Sequence, residues 1–311
     1  MAGVIGVDVG GANLKVAVGS EIHIHYSPLW EGAPLGDLLL EYAGEKAAVV
    51  MSGELADCFR SKLQGIEYIV QAVEAALPGA LFYGTDAAFH PSAMPQLAAA
   101  NWLASADYLR YLYPDGVLVD MGSTTTDIVP LSRFNELLGL SDLKRLQKGY
   151  LIYTGLLRTN VATLLQEVEI EGVRTATSSE YFSVSDDAHR ILGHITEEAY
   201  ACPPPDGSDK SEEGAMRRLA RVVCSDLDEI GREGAMQIAE AFWEKQRGLI
   251  AEGIERVKKD KRGDPVLMAG IGSSLLAREI GGIDLREVLG EVSDALPAYA
   301  VREVAVRTGL H

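Results

Sequence analysis

GVIGVDVGGANLKVAV, residues 3–18, and GVLVDMGSTTTDIVPL, residues 116–131, follow one plan. In each, an apolar run ends in an aspartate, the chain turns on glycine, and a second apolar run returns. Apolar runs bounded by glycine turns read as strand, turn, strand. Superposing Asp8 on Asp120 aligns Val-Asp-x-Gly with Val-Asp-x-Gly, so the chain holds a two-copy motif and not a short-period solenoid. A carboxylate at the end of a buried strand, followed by a turn without Cβ atoms, suits a divalent cation and a phosphate. The carboxylate takes the metal or its waters, and backbone N–H groups approach the phosphate oxygens. Asp8 with Gly10 and Gly11 has this form. So does Asp120 with Gly122, where Ser123, Thr124, Thr125 and Thr126 add hydroxyls and Asp127 adds a second carboxylate. Asp8, Asp120 and Asp127 are therefore the metal candidates. Lys15 lies two residues beyond Asn13, on the same face of the return strand, and is a candidate phosphate cation.

Around the first copy, EIHIHYS, KAAVVMSG and ALFYG read as strands, EYIVQAVEAAL as a helix, and PQLAAANWLASADYLRYLY as a longer helix. The turn at Pro114, Asp115 and Gly116 divides the chain into residues 1–114 and 115–311. In the second part, the stretch from about 149 to 205 is mixed, with SDDAHRILGHI a short helix. CPPPDGSDKSEEG is a loop. AMRRLARVVCSDL and GAMQIAEAFWEKQRGLIAEGIERVKKD are helices of an insertion, and the last helix is expected to pack back on the first domain. DPVLMAGIGSSLLAREIGG makes a third strand-to-glycine junction, in which Gly270, Gly272 and Ser273 turn a helix N-terminus toward an anion.

At 311 residues, 47% of them hydrophobic, the chain is long enough for two domains. Lys and Arg number 28 against 45 Asp and Glu, a net charge of −17 that repels nucleic acid and anionic membrane surfaces. An anionic substrate must then be drawn in by local cations or a metal. Arg158 in GLLRTN and Lys210 in PDGSDKS are such cations, and Glu54 after the Ser52-Gly53 turn is a candidate polar wall or base. Asp86 reads as a helix N-cap. His189 and His194, five apart, do not share a helical face, and His23 and His25 form no metal pair either. Trp102 and Trp243 read as core or partner-surface aromatics. Three separated cysteines suggest neither disulfides nor a thiolate zinc site. With no signal peptide and no run of eighteen apolar residues, a soluble, cytoplasmic protein is expected.

VDVGGANLKVAV, VDMGSTTTDIVPL and MAGIGSSLLARE resemble the phosphate-1, phosphate-2 and adenosine motifs of the superfamily that contains actin, sugar kinases and the heat-shock ATPases. The resemblance implies an α/β fold of two ribonuclease-H-like, actin-like ATPase domains facing each other around a central cleft. DMGSTTTDIVPL is most similar to the hydantoinase/oxoprolinase branch, whose usual pattern is D-x-G-G-T-S-T-D. Here Ser123 replaces the second glycine, which narrows the turn. The first motif carries Ala12 and Asn13 where kinases carry Gly-Thr or Thr-Thr, so a kinase hydroxyl is missing.

VVMSGELADCF, YGTDAAF, AAANWLASA, YTGLLRTNV, ILGHI and PPPDGSDKS together resemble a single-chain family of methanofuran- and methylofuran-core synthases, found with tetrahydromethanopterin-linked one-carbon metabolism. That resemblance implies a transferase condensing an (aminomethyl)furan-methyl diphosphate with the phenol of tyramine or γ-glutamyltyramine, with loss of diphosphate. It implies Mg²⁺ or another divalent cation, no requirement for ATP, and small-molecule partners, with a homo-oligomer left open. Asp8, Asp120, Lys15 and Glu54 are then the catalytic candidates. Gly10, Gly11, Asn13, Gly122, Ser123, Thr124, Thr125, Arg158, Lys210, Gly270, Gly272 and Ser273 form the phosphate-binding set. Two rivals remain. One is an ATP-dependent kinase or amidohydrolase. The other is a nucleotide sensor or scaffold using the helix at 234–260 as its partner face.

Overall fold

The structure, a computed structural model, describes residues 3–200, 202–258 and 263–310. β1 (Val4–Val9) is buried along its whole length, as a central strand covered on both faces must be. It pairs antiparallel with β2 (Asn13–Val18), which pairs antiparallel with the edge strand β3 (Glu21–Tyr26). On its other side β1 runs parallel to β4 (Lys46–Met51), followed by β5 (Leu81–Tyr83) and β6 (Phe89–His90). The second sheet repeats the arrangement. β7 (Val117–Met121), β8 (Thr126–Pro130) and β9 (Leu151–Ile152) are antiparallel neighbours. Parallel to β7 lies β12 (Val266–Ala269), and beside that β13 (Ile283–Asp284). The orders β3-β2-β1-β4-β5 and β9-β8-β7-β12-β13 are the same ribonuclease-H-like plan used twice.

A hairpin of β10 (Glu167–Ile170) and β11 (Val173–Ala176) and the helices Ser185–Ile191, Glu212–Arg221 and Leu227–Val257 are inserted between β9 and β12. These elements contribute to a hydrophobic cluster of their own. The last helix, Leu296–Arg307, crosses to the first sheet. Arg302 Nε donates to the carbonyl of Val4 at 3.1 Å, and a Cβ on Gly6 would overlap the carbonyl oxygen of Ala298. Only glycine in β1 allows that approach.

Several expectations are corrected. The helix read from Pro95 onward is a single 3₁₀ turn, Pro95–Leu97, then a helix over Asn101–Leu109; Ala99 between them has φ of 46°, which no helix continues through. Asp86 caps no helix. It accepts from the Ala88 N–H in a tight turn and pairs with His90 at 3.0 Å. The long helix breaks at Gly231 (φ 63°) and is described as far as Val257, so the end of the partner face expected at Asp260 lies outside the described residues. Its apolar side, with Ile238, Phe242, Ile250 and Ile254, is buried within the chain itself. Among the described residues no helix is long and apolar enough to cross a membrane.

Candidate active site

The two hairpins face a common cleft of about 460 Å³, within the range of small-ligand sites. Their turns close identically. The Gly10 N–H donates to Asn13 O, and the Gly122 N–H to Thr125 O, each at 2.9 Å. Ser123 therefore does not narrow its turn. Its carbonyl instead accepts from the N–H groups of Leu157 (3.0 Å) and Arg158 (2.9 Å), which brings Arg158 to the tip of the second hairpin. Gly10, Gly11, Asn13, Gly122, Ser123, Thr124, Thr125, Asp8, Lys15, Asp127 and Arg158 all line the cleft.

In the first jaw Asp8 stands directly across β1 and β2 from Lys15. Burial pushes its carboxyl up to about 6; Lys15 opposes the shift and Asp120 adds to it. Asp8 Oδ1 is buried without a hydrogen-bond partner. Asp120 is likewise raised, first by burial, and is also relieved by Lys15. The Lys15 ammonium donates to the carbonyl of Asp294 at 2.9 Å, and the Asp294 carboxyl, itself raised by burial, has a buried oxygen without a partner. The charge of Lys15 thus acts on three carboxyl groups, of which Asp294 was missed in the sequence and Asp120 does not itself line the cleft.

The expectation of a third metal carboxylate at Asp127 is not met. Asp127 is ion-paired with Arg145, whose guanidinium also binds Asp142 at 2.9 Å and lies 4.4 Å from the ring centre of Trp102. Among the described residues no group of three or more His, Cys, Asp or Glu side chains is arranged to hold a metal. The charge chain continues from Asp142 to Lys62 (3.8 Å) and from Lys62 to Glu54 (4.0 Å). Glu54 is only 1% exposed and does not line the cleft; burial raises its carboxyl to about 7.

Two further expectations fall on packing grounds. Lys210 does not line the cleft, and its ammonium donates to the carbonyl of Tyr200 at 2.6 Å. The third turn supports the second jaw from behind. Its N–H groups are taken, Gly270 by Ser293 O (3.2 Å), Gly272 by Met121 O (3.1 Å) and Ser273 by Gly270 O (3.0 Å). A Cβ on Gly270 would overlap the Asp120 carboxylate, and one on Gly272 would lie 2.6 Å from Met121 Sδ. These glycines serve close packing against β7.

Arg158 has no carboxylate partner among the described residues. Its guanidinium lies over the ring of Trp30, 4.7 Å from the centre. Trp30 belongs to the first jaw, because the N–H of its neighbour Leu29 donates to Gly11 O at 3.0 Å. No spacing in the sequence pairs residue 30 with residue 158. His189 and His194 do meet, Nδ1 to Nδ1 at 2.9 Å, because Gly193 (φ 69°) folds the chain back beyond the helix. His189 also bonds Gln246, and burial lowers its pKa to about 3, so it is a neutral core group. A second cavity of about 460 Å³ opens beside the helix Ser273–Glu279, but its Arg278 and Arg286 are ion-paired with Glu279 and Asp294, and none of the candidate residues lines it. Chemistry, not size, singles out the cleft.

The chain is 36% identical over 319 residues to the "(4-{4-[2-(gamma-L-glutamylamino)ethyl]phenoxymethyl}furan-2-yl)methanamine synthase" of Methanocaldococcus jannaschii, covering 97% of each protein. To the protein of the same name from Methanococcus vannielii it is 33% identical over 195 residues, 60% of this chain and 88% of that protein. Among solved structures, nucleotide-free acetone carboxylase superposes with a TM-score of 0.55 over 96% of this chain and 70% of its own, at 9% identity, a likeness of fold alone. The hydantoinase/oxoprolinase family model matches residues 45–302. By that match and by its near full-length similarity to the archaeal synthase, the chain belongs to the hydantoinase/oxoprolinase family.

Proposed function

We propose that this protein is a transferase that joins an (aminomethyl)furan-methyl diphosphate to the phenol of tyramine or γ-glutamyltyramine. The observation that carries the reading is a cleft between twin phosphate-type hairpins into which Lys15, across from Asp8, and Arg158, without a carboxylate partner among the described residues, both bring positive charge, in a chain of net charge −17. The similarity to synthases whose name describes a phenoxymethyl-furan product supplies the substrate class.

The phenol oxygen forms a bond to the furan methylene carbon as the bond from that carbon to the diphosphate oxygen breaks. Diphosphate leaves with the electron pair, and the phenol proton passes to solvent at the open cleft. Lys15 and Arg158 neutralise charge that develops on the leaving group, and cations fixed in advance are the strongest means of lowering such a barrier. Arg158 also favours the ionised form of a phenol whose ordinary pKa is about 10. The partnerless Oδ1 of Asp8, with the Asp120 carboxyl nearby, fits Mg²⁺, which takes one or two protein carboxylates and completes its shell with water and phosphate oxygens. When bound, that ion supplies Lewis-acid neutralisation of the diphosphate. Asp127 serves this reading as the anchor of Arg145, and ATP has no part in it.

The test is incubation of the pure protein with both substrates and Mg²⁺, followed by mass spectrometry for the aryl ether and assay of released diphosphate. Absence of ether with every divalent metal tried sinks the reading.

A further inference from the structure

Folding leaves two large apolar side chains of the cleft in water. Leu55 is 61% exposed and Tyr153 is 68% exposed. Both line the cleft, Leu55 from the loop after β4 of the first sheet and Tyr153 from the segment after β9 of the second, so the two jaws contribute one each. Trp30 lines it too. Single exposed apolar residues are ordinary on any surface. Two of them, one from each jaw of one small cleft that a tryptophan also lines, are a different matter. A site for metal and phosphate alone gains nothing from them, whereas a planar ring inserted between the walls would remove both from water.

We infer that Leu55 and Tyr153 clamp the phenol ring of the acceptor at the mouth of the cleft. The assignment to the phenol rests on the transferase reading. The furan is tied to its diphosphate by one carbon and must sit deep, against the hairpins, so the exposed mouth is left for the second ring. Asp57, in the same loop as Leu55, also lines the cleft and offers a carboxylate to an amine on the acceptor's tail.

Calorimetric binding of tyramine and, separately, of inorganic diphosphate with Mg²⁺ to the full chain tests the clamp. Leu55→Ser and Tyr153→Ser each weaken tyramine about tenfold, the size expected for losing most of one apolar contact. Tyr153→Phe stays within about twofold of the parent, and diphosphate affinity stays within about twofold in all three, since exposed positions tolerate substitution. The clamp is overturned by unchanged tyramine affinity in both serine variants, by parallel loss of tyramine and diphosphate, or by a parent protein that binds diphosphate and not tyramine. Ether formation is scored apart from binding. Selective loss of tyramine binding with no ether from the parent keeps the clamp and removes the transferase reading. Ether with an unaltered tyramine KM in both serine variants does the reverse.

Discussion

Asp8 and Asp120 occupy equivalent positions, yet the residue seven places on is Lys15 in one jaw and Asp127 in the other, and each lies directly across the strand pair from its aspartate. Opposite charges across an antiparallel pair are favourable, and like charges are not. The second jaw therefore needs a cation from elsewhere, and Arg145 supplies it. Arg145→Met keeps much of the volume and removes the charge, leaving Asp127 and Asp120 facing each other. Loss of one partner from a buried pair costs about 3 kcal/mol, which urea unfolding would read as a lower midpoint at unchanged slope. Asp186 allows a sharper test. It is 0% exposed, and both carboxyl oxygens lack a hydrogen-bond partner, because Asp187 takes the capping bond to Val184 and the Arg218 pair. Burial, with Asp187 beside it, pushes Asp186 up to about 9, against Lys210 and Arg218. Unfolded, the group titrates near 3.9, so its stabilising contribution is complete below that pH and is lost as pH rises toward 9. Asp186→Asn should therefore gain melting temperature relative to the parent as pH goes from about 5 to 8.5. A constant difference across that range would refute the assignment.

At the scale of elements, the hairpins were legible because strand, aspartate and glycine turn are local patterns, repeated within one chain. The inserted helices were legible from their local apolar spacing, but AMRRLARVVCSDL was read as one helix to Leu227, whereas the helix ends at Arg221 and Cys224 has φ of 57°. The break at Ala99 was not, since nothing in an alanine-rich run marks one alanine for positive φ. The third glycine turn was recognised as a turn but given the wrong task. Whether its N–H groups are free depends on Met121 and Ser293, remote in sequence. Trp30 and Arg158 were unreadable as a pair because they come from different jaws, joined only when Leu29 bonds Gly11 and Arg158 bonds Ser123. That contact has a measurable consequence. A cation over an aromatic face is worth about 0.5–1 kcal/mol at an accessible site. Trp30→Ala should thus raise the KM for the furan diphosphate roughly two- to fivefold, with kcat little altered, and Trp30→Phe should restore most of it. A fall in kcat at unchanged KM would show that Trp30 does not act by holding Arg158 for the diphosphate.

At the scale of the whole molecule, two similar sheets close on a cleft, and contacts from the first half to the second include Lys15 to the Asp294 carbonyl, Trp30 to Arg158, Trp102 to Arg145, and Lys62 to Asp142. The arrangement keeps the twin glycine-turn hairpins of an actin-like fold. At the third turn the N–H groups of Gly270, Gly272 and Ser273 already bond to the protein, which leaves those three donors engaged for any nucleotide. Asn13 adds to this, standing without a hydroxyl in the first jaw. Diphosphate and ATP should therefore separate. In titrations with Mg²⁺, diphosphate is expected to bind, and Lys15→Met to weaken it about tenfold, the loss of one charge-assisted contact. ATP should bind no more tightly than diphosphate, because adenosine adds bulk without adding partners. ATP binding tenfold tighter than diphosphate would mean that the third turn opens on ligand entry, and would return the molecule to the ATP-dependent chemistry that its hairpins alone suggest.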